Sequence, residues 1–109
     1  MKEPGKHLPG IAALRKAVSE NRYIITTHAK QRMGQRKVSD QDMKRVEMTG
    51  DVIEQYPDAV PLPKVLFMAL VRHEPLYVSC AFDGTYVHIV TVHWYDPAVW
   101  SDPWTRRRR

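Results

Sequence analysis

The sequence has little of what marks a specialised class of protein. It contains a single cysteine, Cys80, so no disulfide can form within the chain. Its longest apolar run, from Val65 to Val71, is far shorter than the roughly 18 residues that a membrane helix needs. No positively charged segment followed by an apolar leader opens the chain. We therefore expect a cytoplasmic protein that does not contact a membrane.

Motifs for cofactors and metals are also missing. The sequence has no glycine-rich phosphate loop and no serine-nucleophile elbow. Its five histidines are never spaced four residues apart, and no acidic cluster accompanies them. We therefore predict that the protein uses no cofactor and binds no metal.

The length and composition are those of one ordinary globular domain. A chain of 109 residues has room for a single core, and its 43% hydrophobic and 27% charged residues are close to average usage. We predict a single α+β domain over residues 1–100, followed by a basic C-terminal tail over residues 101–109.

Three amphipathic helices are predicted in the first half of the chain, at residues 9–20, 28–37 and 40–49. In the first, Ile11, Leu14 and Val18 recur at helical spacing. In the third, Ser39 precedes Asp42 by three residues, which is the spacing of a capping box. The second half therefore has to supply the sheet on which these helices pack.

Four antiparallel strands are predicted in that half, at residues 52–56, 64–72, 76–82 and 85–95. Asp83-Gly84 lies between two apolar runs, which is a strong signal for a two-residue hairpin turn. With that turn, Ser79 lies opposite His88. Side-chain alternation then predicts one core face carrying Leu76, Val78, Cys80, Val87 and Ile89, and one polar and aromatic face carrying Tyr77, Ser79, Tyr86, His88, Val90 and Trp94.

The net charge of +5 is unevenly distributed. Residues 1–45 have a surplus of seven positive charges, residues 46–105 have a deficit of six, and Arg106 to Arg109 add four positive charges. Clustered Lys and Arg side chains bind polyanions by neutralising phosphates. The pattern favours a nucleic-acid contact on the helical side, although a solvated helical surface would have the same composition.

Several short motifs occur in an order that resembles a known family. They comprise residues 28–33 with Arg36, Val38, Ser39 and Asp42, then Gly50, residues 52–58, Pro61 and Pro63, and finally Thr91, Asp96, Pro97 and Trp100. This pattern resembles a small bacterial family of unknown function that is grouped with the RelE/ParE-like toxins. The resemblance covers about residues 23–100. It implies N-terminal helices packed on one face of a four-stranded antiparallel sheet.

The chain departs from that family at two positions. Tyr77 stands where the family leads us to expect a histidine, and His93 stands where it leads us to expect a tyrosine. The resemblance implies RNA as a partner, in the form of ribosome-associated mRNA, and an antitoxin protein as a second partner. Some members of the wider group act on gyrase instead, so the fold alone does not define the activity.

Metal-free RNA cleavage requires proton-transfer groups and cations that hold the phosphate. His93 and Tyr95 share a predicted strand face, and with His28 they are our candidate catalytic residues. His28, Arg32 and Arg36 are spaced four apart, so one helix face would present them as a stripe. We assign Arg32 and Arg36, together with Tyr77 and Thr91, to substrate binding. By strand parity, His88 lies on the opposite face from His93 unless a bulge intervenes.

Three functions remain open from the sequence. The first is a metal-independent endoribonuclease of the RelE type, acting as the toxin of a toxin–antitoxin pair. The second is a catalytically silent module of the same fold that binds RNA or a protein. The third is a structural domain whose acidic sheet pairs with a basic partner.

Overall fold

The computed structural model describes residues 10–108, which form three helices and seven strands, with the first strand between the first two helices. The helices are α1 (Ile11–Ser19), α2 (Thr27–Arg36) and α3 (Asp40–Thr49). The strands are β1 (Tyr23–Ile25), β2 (Asp51–Tyr56), β3 (Lys64–Val71), β4 (Glu74–Phe82), β5 (Val87–Trp94), β6 (Trp100–Asp102) and β7 (Thr105–Arg106). The α+β class is confirmed. The predicted start of the first helix, residue 9, lies outside the described residues.

Local signals in the sequence explain where the helices begin and end. The Ser39 hydroxyl accepts a hydrogen bond from the Asp42 N–H, and the Asp42 carboxylate accepts one from the Ser39 N–H, so the predicted capping box is confirmed. Thr26 caps α2 by accepting from the Ala29 N–H. Gly50 ends α3 in an extended conformation, where a Cβ would lie only 2.4 Å from the Val46 carbonyl oxygen. Only glycine fits there without a backbone shift.

The main sheet has five strands and is mixed, in the order β1-β5-β4-β3-β2. The four predicted strands form its antiparallel part. The prediction of a purely antiparallel four-stranded sheet was wrong in one detail, because β1 adds a fifth strand parallel to β5. With only three residues, β1 is too short to show the alternation of a strand, so the sequence did not predict it as one.

The predicted register between β4 and β5 was wrong. The turn is centred on Gly84 and Thr85, one residue later than expected, and the Asp83 N–H donates to the Tyr86 carbonyl oxygen at 3.2 Å. Asp83 holds this turn with its carboxylate, which accepts from the Thr85 and Tyr86 N–H groups. Ala81 therefore lies opposite His88, and a bulge at Val90 places Ser79 opposite Thr91.

The inner face of the sheet carries the main core. The five residues predicted for this face, Leu76, Val78, Cys80, Val87 and Ile89, are all fully buried, which confirms that part of the prediction. The three helices cover the face through Leu14, Ala17, Val18, Ala29, Met33, Met43 and Val46. Trp94, which we expected on the other face, packs against this core because the Val90 bulge reverses the alternation beyond it.

The outer face is half covered by the end of the chain. Strands β6 and β7 form a hairpin that buries Trp100 against Leu66, Met68 and Tyr77. Residues 101–106, which we assigned to a basic tail, therefore belong to this hairpin. No helix among residues 10–108 is long and apolar enough to cross a membrane.

Candidate functional site

The Val90 bulge brings three predicted site residues and His88 to one face of the sheet. Beyond the bulge, Thr91 lies opposite Ser79 and His93 lies opposite Tyr77. Before it, His88 lies opposite Ala81. Directly opposed residues project from the same face, so His88, Thr91 and His93 all belong to the outer face with Tyr77. We expected His88 and His93 on opposite faces unless a bulge intervened, and the bulge at Val90 places them on the same face.

Four planar groups are stacked on the covered half of the outer face. The His93 and Tyr77 rings are nearly parallel, with centroids 5.2 Å apart. Tyr77 stacks in turn on Trp100 at 4.5 Å, and the Arg106 guanidinium lies 4.6 Å from the Trp100 ring centroid. Arg106 is held by both carboxylate oxygens of Glu54, each at 2.8 Å. The C-terminal hairpin thus packs on Tyr77, and Tyr77 contacts one side of the His93 ring.

The surroundings of His93 favour its neutral form. Burial lowers its pKa, and the positive charges of Arg36 and Arg106 lower it further, against weaker opposing effects of Asp96 and Glu54. A lowered pKa keeps the imidazole unprotonated at neutral pH. His93 is therefore suited to accept a proton.

Helix α2 lies along β5 and carries the predicted cationic stripe. The Arg36 guanidinium donates to the Val92 carbonyl oxygen at 2.6 Å, and the Trp94 indole donates to the Arg36 carbonyl oxygen at 3.0 Å. Arg32 donates to the neighbouring Gln35 side chain. Within residues 10–108, no carboxylate forms an ion pair with a cation of α2, although pairs of this kind are found elsewhere on the surface. Among these residues, the hydrogen bonds of Arg32 and Arg36 thus leave the positive charge of the stripe without a neutralising carboxylate.

His28 lies at the other end of this stripe. It is exposed in the first turn of α2, eight residues before Arg36. At 1.5 Å per residue, that separation is roughly 12 Å along the helix axis. The stripe is therefore long enough to contact more than one phosphate of a nucleic-acid strand.

An open cleft lies on the uncovered half of the outer face. It has a volume of about 610 Å³ and is lined by residues 55–59, Lys64 and Ser79. Tyr56 is 47% exposed, and its hydroxyl donates to Glu54 at 2.6 Å. Arg106 and Tyr56 are therefore bound to the same carboxylate, which links the stack at His93 to the cleft.

The structure brings some of the predicted site residues together and separates others. His93, Arg36, Thr91 and Tyr95 lie around the end of β5, where the Tyr95 hydroxyl donates to the Trp100 carbonyl oxygen at 3.4 Å. Tyr77, which we assigned to substrate binding, is fully buried, and its ring stacks on the His93 ring. Burial raises the Tyr77 pKa to about 12, with further contributions from Tyr95 and Asp102.

Sequence reasoning missed Arg106, Glu54 and Tyr56. Arg106 comes from β7, outside the motifs, and the stack on Trp100 brings it near His93. Glu54 and Tyr56 come from β2 and fall within the motif at residues 52–58, but we gave them no role from the sequence. The pairing of Glu54 with Arg106 crosses 52 positions. The motif at residues 52–58 was a sequence signal for Glu54 and Tyr56, whereas Arg106 is one arginine of a basic segment and no local pattern marks it.

His88 occupies a different environment at the far end of β5. Its Nε2 lies 2.9 Å from Asp83 Oδ2. This contact and the N–H groups of Tyr86 and Thr85 lower the Asp83 pKa to about 2. His88 is therefore tied to the turn that connects β4 and β5.

One titratable cluster lies in the inner core, away from the outer face. The Cys80 thiol donates to Glu47 Oε2 at 2.8 Å, and Glu47 Oε1 has no hydrogen-bond partner in the described part of the chain. Burial raises the Glu47 pKa to about 7, partly offset by Cys80 and Lys44. Among residues 10–108, no three His, Cys, Asp or Glu side chains are grouped so that they could hold a metal ion.

Comparison with known proteins gives one match. A family model described as a domain of unknown function, DUF4258, matches residues 25–94. No curated protein and no solved structure matches the chain. The matched segment runs from β1 to the end of β5 and contains His28, Arg36 and His93. It ends before the C-terminal hairpin.

Proposed function

The chain belongs to the DUF4258 family, a domain of unknown function, and we propose from its own site that it binds RNA and cleaves it without a metal. The observation that carries the proposal is the placement of a neutral histidine, His93, beside Arg36 of the cationic stripe, whose residues form no ion pair with a carboxylate among residues 10–108. A base next to a phosphate-binding cation is the minimum that such cleavage needs. The resemblance of the chain's motifs to RelE/ParE-like toxins, a group that includes ribonucleases, supports the same activity.

In the proposed reaction, His93 accepts the proton of a ribose 2′-hydroxyl. The 2′-oxygen attacks the adjacent phosphorus, the bond from phosphorus to the 5′-oxygen breaks, and a 2′,3′-cyclic phosphate forms. Arg36 stabilises the charge that develops on the phosphoryl oxygens. We assign the proton that the 5′-oxygen receives to Tyr95, because its ring packs in the same cluster as Tyr77, against which His93 stacks.

His28 and Arg32 have a binding role in this scheme. They lie one and two turns before Arg36 on the same helix face, so they would hold phosphates on one side of the scissile bond. Thr91 lies two residues from His93 on the outer face, where its hydroxyl would contact the ribose.

The test is cleavage of a short single-stranded RNA in the presence of EDTA, with and without ribosomes. We expect a product ending in a 2′,3′-cyclic phosphate, identified by mass spectrometry. The matched substrate carries one 2′-deoxyribose at the cleaved position and should remain intact there, because it lacks the attacking oxygen. Cleavage of that substrate at the same bond, or activity only with added metal, would contradict the mechanism.

The biological form of the proposal is a toxin controlled by an antitoxin. Expression of the chain should arrest growth, and the His93→Ala variant should not. The alternative is a silent module that binds RNA or a protein, which the half-burial of His93 favours. RNA binding without cleavage of any RNA, with or without ribosomes, would support this alternative.

A further inference from the structure

The cleft beside Ser79 lies next to the proposed reaction centre. Ser79 lies opposite Thr91, and His93 is two residues further along the same strand. Diagonal neighbours of this kind are roughly 7–8 Å apart across an antiparallel pair. A group bound at Ser79 would therefore be an immediate neighbour of a phosphate bound at His93.

An exposed aromatic ring forms one wall of the cleft. Tyr56 is half exposed, and its hydroxyl is held by Glu54, which is in turn held by Arg106 on both carboxylate oxygens. The ring is thus fixed from one end while much of the side chain stays open to solvent. Fixed aromatic rings of this kind serve as stacking platforms for unpaired bases.

The polar groups of the cleft suit a base better than a phosphate alone. Lys64 lies opposite Tyr56 in the sheet, and the Ser79 hydroxyl is a second donor. Asp58 also lines the cleft, and among residues 10–108 no ion pair joins it to Lys64. A carboxylate repels a phosphate but accepts hydrogen bonds from the N–H groups of a base. Base edges present donors and acceptors together, as this cleft does.

We infer that this cleft holds one unpaired base of a single-stranded RNA, with Tyr56 as the stacking surface. The inference rests on the proposed function and extends it, because a base held there would position the neighbouring phosphate at His93. A base in a duplex is stacked and paired, so it could not enter the cleft. The substrate class is therefore single-stranded RNA.

Binding of a fluorescently labelled five-nucleotide RNA to variants of Tyr56 tests the inference. Tyr56→Leu removes the aromatic ring and should weaken binding about tenfold, since stacking contributes roughly 1–3 kcal/mol per base. Tyr56→Phe loses only the hydrogen bond to Glu54 and should bind within about twofold of the parent. Trp104→Leu is the matched control, because Trp104 is 57% exposed but lies outside this cleft.

Oligonucleotides with a single abasic residue locate the bound base. At one position, the abasic residue should weaken RNA binding by the parent protein as much as Tyr56→Leu weakens binding of the intact RNA. The Tyr56→Leu variant should bind this abasic RNA no more weakly than it binds the intact RNA. If Tyr56→Leu binds and cleaves RNA as the parent does, the base site is wrong and the proposed function stands.

A parent protein that binds no RNA would overturn the proposed function. Binding of nucleoside monophosphates would then test the cleft separately. NMR shifts confined to Tyr56, Lys64 and Ser79 would establish a nucleotide site without the RNA activity. If no such shifts occur, both proposals fail.

Discussion

The two faces of the sheet differ in what they bury and in what they leave exposed. The inner face is closed by three helices and holds nearly the whole apolar core, with Glu47 as its single fully buried charged residue among those described. The C-terminal hairpin covers the outer face over Leu66, Met68 and Tyr77, and the rest of that face carries hydroxyl, imidazole and ammonium groups. One face therefore accounts for the stability of the domain, and the other offers the chemistry.

The largest expected effect is a loss of stability on the inner face, compared with a substitution at an exposed position of the same strand. Phe67 is fully buried on the inner face, and Phe67→Ala should lower the free energy of unfolding by about 3–5 kcal/mol because it leaves a cavity. Leu70 is 60% exposed on the same strand, and Leu70→Ala should change that free energy by less than about 0.5 kcal/mol. Urea denaturation measures both. Equal losses would contradict the assignment of the core.

A smaller effect concerns the carboxyl group inside the core. The Glu47 pKa is raised to about 7 in the folded chain, so the protonated form is the one that fits. The contribution of protonated Glu47 to the free energy of unfolding is fully present below the pKa that this group has in the unfolded chain. It is lost as the pH rises from there through about 7. Unfolding free energy should therefore fall by about 2 kcal/mol between pH 5 and pH 8 from this group.

Glu47→Gln provides the control for that pH dependence. The glutamine retains an oxygen that can accept from the Cys80 thiol but does not titrate. Thermal or urea unfolding of the variant should lose this part of the pH dependence. A variant with the same slope as the parent would show that Glu47 does not titrate in this range.

The next effect concerns the salt dependence of RNA binding and tests the cationic stripe of α2. Each phosphate neutralised on single-stranded RNA contributes about 0.7 to the slope of log affinity against log salt concentration. The Arg32→Ala/Arg36→Ala double variant should therefore flatten this slope by about 1.4. Lys16→Ala/Lys44→Ala removes the same charge from α1 and α3 and should leave the slope unchanged. An unchanged slope in the arginine variant would identify the stripe as a solvated surface.

The smallest effect concerns the His93 ring itself. Arg36 lowers the pKa of His93 by charge repulsion, so Arg36→Gln should raise that pKa. Arg32→Gln is the matched control, because Arg32 is not among the groups that affect His93. NMR titration of the His93 ring protons measures both variants. A lower pKa in Arg36→Gln, or equal shifts in the two variants, would show that Arg36 does not face the ring.

The sequence was most informative where structure depends on near neighbours. The Ser39 capping box, the apolar positions Leu14 and Val18 of α1 and the five core residues of β4 and β5 were all predicted, because the periodic spacing of apolar residues along a helix or strand indicates which of them are buried. The pairing register of β4 and β5 was not predictable, because the turn lies one residue later than Asp83-Gly84 indicates and no residue type marks the bulge at Val90. Arg72 and His73 form another tight turn with φ of 50° and 72°, values that their residue types do not signal.

For the candidate site, the sequence identified His93 and Arg36 but misjudged their setting. Tyr77 was expected to face the substrate, yet Trp100 at the start of the C-terminal hairpin covers it. Contacts between segments far apart in sequence decided that outcome. The catalytic and binding roles of the site residues remain predictions.

The comparison of His93 with His88 tests the account's central claim most directly, since both lie on β5 and on the outer face. The measurement is the single-turnover rate of RNA cleavage by the parent and two alanine variants. His93→Ala should lose about 100-fold or more, because it removes the base. His88→Ala should stay within a small factor of the parent, because His88 is tied to Asp83 at the far end of the strand. Loss of cleavage in His88→Ala with His93→Ala unaffected would contradict the account.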